Sequence, residues 1–294
     1  MKAIWEEVRP SRIEVIATYS KRILNTWGNS RPYLSGDLYS DSSDYSFQPP
    51  KMRRFQNIEK DLPRAEVIFC PSNLLESFFE EYLDEIRAKV IICSNGDYDF
   101  HELPSRIPES VRHFFLQNSF IPNSEMTTAI PIGIENLRWG KNGFSSLMKV
   151  DSIWTTRSDR ILLGPFGMTH EERKAIRNTF TESNEVIELI SERFNPREYS
   201  RLMSQHKYVA CVRGNGVDTH RHWESMYRGC YAVTLSNNWS DNFKDLGLPI
   251  LFIEEWSQEQ MKKISISKLP EPQDPKNVEA LWWPYWKSKI EGYL

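Results

Sequence analysis

The chain has no run of apolar residues approaching the roughly 20 needed to span a bilayer. Glu6, Glu7 and Arg9 break up its opening segment, where a secretory leader would need a continuous apolar stretch. Neither a membrane span nor a leader is expected, so any membrane contact is at most peripheral. Cysteine is scarce: Cys70, Cys93, Cys211 and Cys230 include no C-x-x-C pair, and we read them as reduced, buried and structural in a cytoplasmic setting. An excess of positive charge is also missing. With 37 Lys and Arg against 40 Asp and Glu the net charge is -3, which gives no electrostatic reason to expect nucleic acid as a partner. Zinc spacing is absent as well, because His220 and His222 are two apart and point to opposite sides of a helix. No resident metal and no permanently bound cofactor are expected.

What is present is enough for two domains. A chain of 294 residues with 39% hydrophobic content divides naturally into units of about 150 residues, at 1–150 and 151–294. Residues 12–27 read as a helix with Ile13, Ile16, Ile23 and Leu24 on one side. The polar stretch 28–63 has little periodicity and reads as a surface loop or partly ordered insertion. Its aromatics Tyr33, Tyr39, Tyr45 and Phe47 either pin that loop or line a binding groove. From residue 65 a βα rhythm begins. Strands are expected at 65–70, 89–94, 113–116 and 129–132, with a helix over 71–87, and polar residues collect just past the strand ends. That pattern describes an open parallel sheet whose carboxyl edge carries a site.

Residues 140–158 break the rhythm and hold the interdomain connection. Beyond them, strands are expected at 160–166, 186–190, 208–212, 231–236 and 250–253. Helices are expected at 169–180, where Thr169 and Glu172 match a capping box, and at 195–206. Small polar residues at 237–241 follow a strand and are candidates for contact with a ligand. The aromatic tail 277–294 is interrupted by Pro284, which fits a kinked helix or two short ones, and docking onto the first domain is the favoured reading of its tryptophans.

The most informative stretch runs from Tyr208 to Leu235. An apolar strand meets Arg213, passes through Gly214, Asn215 and Gly216, reaches a helix start at Asp218 or Thr219, and returns to a second apolar run. Glycines at a strand end permit positive φ and close approach of a ligand, and the next helix offers free N–H groups, a corner suited to a phosphate or diphosphate. Trp223, Met226, Tyr227 and Cys230 form the packing stripe, while Arg221, Glu224 and Arg228 share another face. Arg213 and Arg221 could clamp a diphosphate, with Glu224 accepting from ribose hydroxyls. Equally, Arg221, Glu224 and Arg228 could form an exposed salt-bridge ladder and the glycines an ordinary turn. The spacing is not a dinucleotide fingerprint, because Thr219 stands where a third glycine belongs, and no Walker lysine follows.

The run from Arg213 through Glu224, followed by Gly229 and an apolar strand, resembles the donor-binding segment of exostosin-like glycosyltransferases. That resemblance implies a GT-B-like α/β fold: two Rossmann-like domains facing a central cleft, with the final helix crossing back to the first. It implies an acceptor-side domain at 1–150 and a nucleotide-sugar-binding domain at 151–294. Arg213, Gly214, Asn215, Gly216, Asp218, Thr219, Arg221 and Glu224 would hold a nucleotide diphosphate sugar, and a glycan or glycolipid would accept the sugar. Inverting, metal-independent transfer requires a base for the acceptor hydroxyl. Asp97 is the first candidate and Glu135 the second, ahead of Asp99 and His101. The Asp97-Tyr98-Asp99 pair also matches the metal-binding pattern of GT-A transferases, the rival architecture. A non-catalytic glycan- or nucleotide-binding module and a nicotinamide-dependent oxidoreductase are the other readings.

Overall fold

A computed structural model of the chain describes residues 30–47, 57–137, 143–150 and 152–294. The helix expected at 12–27 lies outside the described residues, as do 48–56 of the polar stretch and 138–142 and 151 around the expected interdomain connection.

The first half builds an all-parallel sheet. After α1 (Gly36–Asp41) come β1 (Tyr45–Ser46), α2 (Ile58–Asp61), β2 (Val67–Pro71), α3 (Leu75–Tyr82), β3 (Val90–Ser94), β4 (His113–Leu116) and β5 (Thr127–Ala129). The strands lie in chain order, β1-β2-β3-β4-β5. Alternation divides their side chains between two cores, as a pleat with period two demands. Ile68, Cys70, Ile91, Cys93, Phe114 and Leu116 pack with Phe78 and Phe79 of α3. Val67, Phe69, Val90, Ile92, Phe115 and Ala129 face the other way. Right-handed crossovers between sequential parallel strands put their connections on one face, so the opposite face must be covered by something else.

That cover comes from both ends of the described chain. Leu38 and Tyr39 of α1 share a core with Leu281, Trp283, Trp286 and Ile290 of the tail. Tyr39 meets Trp283 edge-on at 5.6 Å, and Tyr293 stacks on His113 of β4 at 3.7 Å. The tail's helix, residues 283–291, thus reaches the first sheet. Pro284 does not kink it but occupies its first turn, where a missing N–H costs nothing. The polar stretch is likewise not a surface loop: Tyr39, Tyr45 and Phe47 are buried, and the segment contributes α1 and the edge strand β1. Short elements separated by serines and aspartates left no periodicity to read.

The second half builds another all-parallel sheet. Its elements are β6 (Ser158–Leu163), α4 (Glu171–Thr179), β7 (Ile187–Leu189), α5 (Pro196–Ser204), β8 (His206–Ala210), α6 (His220–Tyr227), β9 (Tyr231–Leu235), α7 (Asn238–Asp241), β10 (Ile250–Ile253), α8 (Gln258–Ile266) and α9 (Trp283–Glu291). The spatial order is β7-β6-β8-β9-β10. From β6 the chain steps outward to β7, then returns to pair β8 on the other side of β6, so the order reverses between β6 and β8. Both sheets are compatible with a Rossmann-like α/β fold. The cap of α4 is His170, whose Nδ1 accepts from the Glu172 N–H at 3.2 Å, rather than the expected Thr169–Glu172 box. Residues 237–241 form α7, capped by Asn237, with Trp239 and Ser240 buried. Asn238 and Asp241 of this helix are exposed.

Candidate functional site

Where strand order reverses in an open parallel sheet, the two outgoing connections part and leave a crevice beyond the strand ends. In the second sheet that point lies past β6 and β8, and three arginines converge there. Arg213 continues from β8. Arg173 reaches over from α4, its Nε donating to the Arg213 carbonyl at 2.8 Å and its Nη2 to that of Val212 at 3.3 Å. Arg221, on the first turn of α6, donates to the Pro165 carbonyl and lies over the rings of Tyr199 and Phe166. Among the described residues neither Arg173 nor Arg221 is ion-paired with a carboxylate. Burial, and then the neighbouring Arg221, push Arg173 down to about 10. Arg221 lowers Arg173 by its charge while Glu172 raises it, and a concentration of cations at a strand end is a place where an anion can be received.

The facing rim belongs to the first sheet and carries carboxylates and amides. Asn95 and Asn118, just past β3 and β4, adopt left-handed φ values of 55° and 57°, a conformation asparagine tolerates better than most residues. Asn118 accepts from the Asp218 N–H at 2.9 Å, Asp97 accepts from the Asn215 amide at 3.2 Å, and Asp99 pairs with Arg213 at 2.5 Å. The glycine loop is therefore clasped by residues that follow the strands of the first sheet. Neither Gly214 nor Gly216 has the positive φ expected of it; their requirement for hydrogen is one of space. A Cβ on Gly216 would lie 2.5 Å from the Asn118 amide nitrogen, and one on Gly214 would lie 3.2 Å from Arg173 Nη2.

The remaining expected ligand residues divide by burial. Asp218 is only 3% exposed, and its two oxygens accept from the Ile132 N–H at 2.7 Å and from Trp223 Nε1 at 2.8 Å. This carboxylate ties α6 to Ile132 of the first half and has both oxygens engaged by protein, so it corrects the expectation of a nucleotide contact. Burial raises it to about 7. Thr219 caps α6, its N–H donating to His222 Nδ1 at 3.2 Å. The ladder alternative fails on geometry, because Glu224 and Arg228 are buried, and Arg228 donates to Ser200 Oγ and to the Glu224 carbonyl instead of its carboxylate.

Glu224 is the unusual member. Its side chain is 6% exposed, yet no protein group among the described residues donates to its carboxylate. Burial raises it, against the charges of Arg228, His220 and Arg221, and the nearby Glu135 raises it further. Glu135 is half-buried and sits beside Glu224, whereas Asp97 is exposed on the opposite rim. Of the two expected bases, only Glu135 shares a neighbourhood with the buried carboxylate.

Sequence reasoning missed Arg173 and Phe166, which complete the basic crevice, and the role of Asn118. Arg173 and Arg177 are i, i+4 partners on α4 beside the same Phe166 ring, at 5.4 and 5.9 Å, a spacing that marks one helix face. That face pointed to a shared target. The DxD pair, read as a possible metal site, engages Asn215 and Arg213. Among the described residues no group of three or more His, Cys, Asp or Glu side chains is arranged to hold a metal ion, and no helix is long and apolar enough to cross a membrane. No protein-family model matches the chain, and no curated protein matches it.

Proposed function

We propose that the protein is a glycosyltransferase of GT-B-like architecture that moves a sugar from a nucleotide diphosphate sugar to a glycan or glycolipid acceptor, without a metal. The observation that carries this reading is the cluster of Arg173, Arg213 and Arg221 at the reversal point of the second sheet, two of them without a carboxylate partner. Such a cluster suits a diphosphate leaving group, whose developing charge guanidinium groups can stabilise in place of a divalent ion. Buried Glu224, one turn along the helix from Arg221, offers a carboxylate with open acceptor capacity for sugar or ribose hydroxyls. The exostosin-like resemblance covers this same segment and adds the identity of the reaction. The aromatic tail fits a helix crossing back to an acceptor-side domain.

The test is to incubate the protein with uridine and guanosine diphosphate sugars, with and without a chelator, and to follow nucleoside diphosphate release and the sugar's fate by mass spectrometry. Transfer that survives the chelator is expected. Binding without release would favour the non-catalytic module, and activity abolished by the chelator would restore a metal-bound Asp97-Tyr98-Asp99.

A further inference from the structure

Three histidines of the described chain differ in how their ring nitrogens are used. His222 is buried, and both its nitrogens are engaged: Nδ1 by the Thr219 N–H at 3.2 Å and Nε2 by Thr234 Oγ1 at 3.1 Å. In His113, Nδ1 faces the Glu125 carbonyl at 2.9 Å and Nε2 faces Thr128 Oγ1 at 2.8 Å. His220 is different. Its Nδ1 lies 2.9 Å from the carbonyl of Gly133. A carbonyl only accepts, so Nδ1 carries the proton and the neutral ring holds its lone pair on Nε2. Among the described residues nothing engages that Nε2, and the ring is half-buried at the start of α6, on the seam between the two domains.

Two carboxyl groups lie close along the chain to the ring or to the carbonyl that orients it. Glu224 lies four residues on, on the same face of the helix, and Glu135 lies two residues beyond the carbonyl that orients the ring. Glu135 acts on Glu224, and so do the charges of Arg228, His220 and Arg221. Gly133 holds its carbonyl in place with φ of 69°, and a Cβ there would lie 2.1 Å from the Leu34 carbonyl oxygen. The orienting group is therefore fixed by packing that only glycine permits.

We infer that His220 is the general base of the proposed transfer, its Nε2 taking the acceptor hydroxyl proton, with Glu224 and Glu135 as positioning residues that stabilise the imidazolium. This rests on the transfer reading above. In the step, the acceptor oxygen forms a bond to the anomeric carbon as the bond from that carbon to the diphosphate oxygen breaks. The electron pair leaves with the diphosphate towards the arginines, and the hydroxyl proton passes to His220. The arrangement resembles other base–orienter pairs in which a hydrogen bond to one ring nitrogen fixes the tautomer that leaves the other basic.

His220→Asn keeps a donor at the Nδ1 position for the Gly133 carbonyl and removes the base; His220→Gln moves the amide to the Nε2 position. With uridine or guanosine diphosphate sugars as probes, His220→Asn is expected to lose about 10²- to 10⁴-fold in kcat, to keep its donor KM within about 3-fold, and to lose the acidic limb of the pH–rate profile. Nitrogen-15 correlation spectra of the wild type, assigned by difference against the variant, should show His220 protonated on Nδ1 at neutral pH. Turnover within about 3-fold of wild type, an unchanged acidic limb, or an Nε2-protonated ring would each overturn the assignment. A wild type that binds donor without ever turning it over also overturns the base and leaves the arginine site standing. A wild type that binds no donor removes the transfer reading and the base with it.

Discussion

The two sheets present opposite chemistry at their carboxyl ends, and their strand orders account for it. In the first, sequential strands have no reversal point, and the rim closes on itself. Gln117 Nε2 and Asn118 Nδ2 both donate to the Gly96 carbonyl, and Asn136 Nδ2 donates to Asn95 Oδ1 at 2.7 Å. In the second, the order reverses between β6 and β8, and three arginines occupy the gap. The first rim ties its amides to one another, and the second carries three arginines, of which Arg213 is paired with Asp99 of the first. The comparison teaches that topology selects which edge can receive an anion, while the edge that carries amides and carboxylates clasps the glycine loop.

The largest effect should come from the buried ionisable pair His222 and Asp218. His222, held down to about 4 by burial, adds stability that is fully present above its ordinary 6.5 and lost as pH falls towards 4. Asp218, raised to about 7, works in the other direction: its contribution is present below 3.8 and lost as pH rises through about 7. His222→Gln removes only the first limb. Urea unfolding at pH 7 and pH 4.5 should show the wild type losing about 2 to 3 kcal/mol more than the variant, and equal losses would mean the histidine does not titrate in this window.

Gly216→Ala tests the contact between rims. A Cβ 2.5 Å from the Asn118 amide should cost about 1 to 3 kcal/mol of stability. Combining it with Asn118→Gly should recover much of that cost, and a double variant no better than the single would place the strain elsewhere. The smallest effect sharpens the charge contrast. Asp99→Asn removes the carboxylate that competes for Arg213, so nucleoside diphosphate affinity should rise by about 0.5 to 1 kcal/mol; weaker binding would mean Asp99 helps to build the site.

Much of this architecture was legible because buried parallel strands are short apolar runs with polar residues beyond their ends. The strands His113–Leu116 and Ile250–Ile253 fall at the expected bounds, and the others are displaced by a few residues. α1 and β1 were hidden because an element of two to six residues is too short for a period to emerge. Within the site, Arg213, Arg221 and Glu224 stand out by spacing; Arg221 acts on both Arg173 and Glu224, and Arg173 donates to the Arg213 carbonyl. Asp218 and Gly216 misled because their partners, Ile132 and Asn118, lie about 100 residues away in sequence. Local chemistry suggested a ligand where the fold supplies a protein partner. The tautomer of His220 was invisible for the same reason, since it depends on the carbonyl of Gly133 in the other half of the chain.

The most direct test of the basic rim as the anion seat is calorimetric titration of uridine and guanosine diphosphate into the wild type, the Arg173→Ala/Arg221→Ala double variant and Asp97→Asn. Each lost charge-assisted contact is worth about 1.5 to 3 kcal/mol, so the double variant should bind the preferred diphosphate at least about 100-fold more weakly, and Asp97→Asn should bind it within a few-fold of wild type. A double variant that binds as tightly as the wild type would contradict the account and move the anion away from the second sheet.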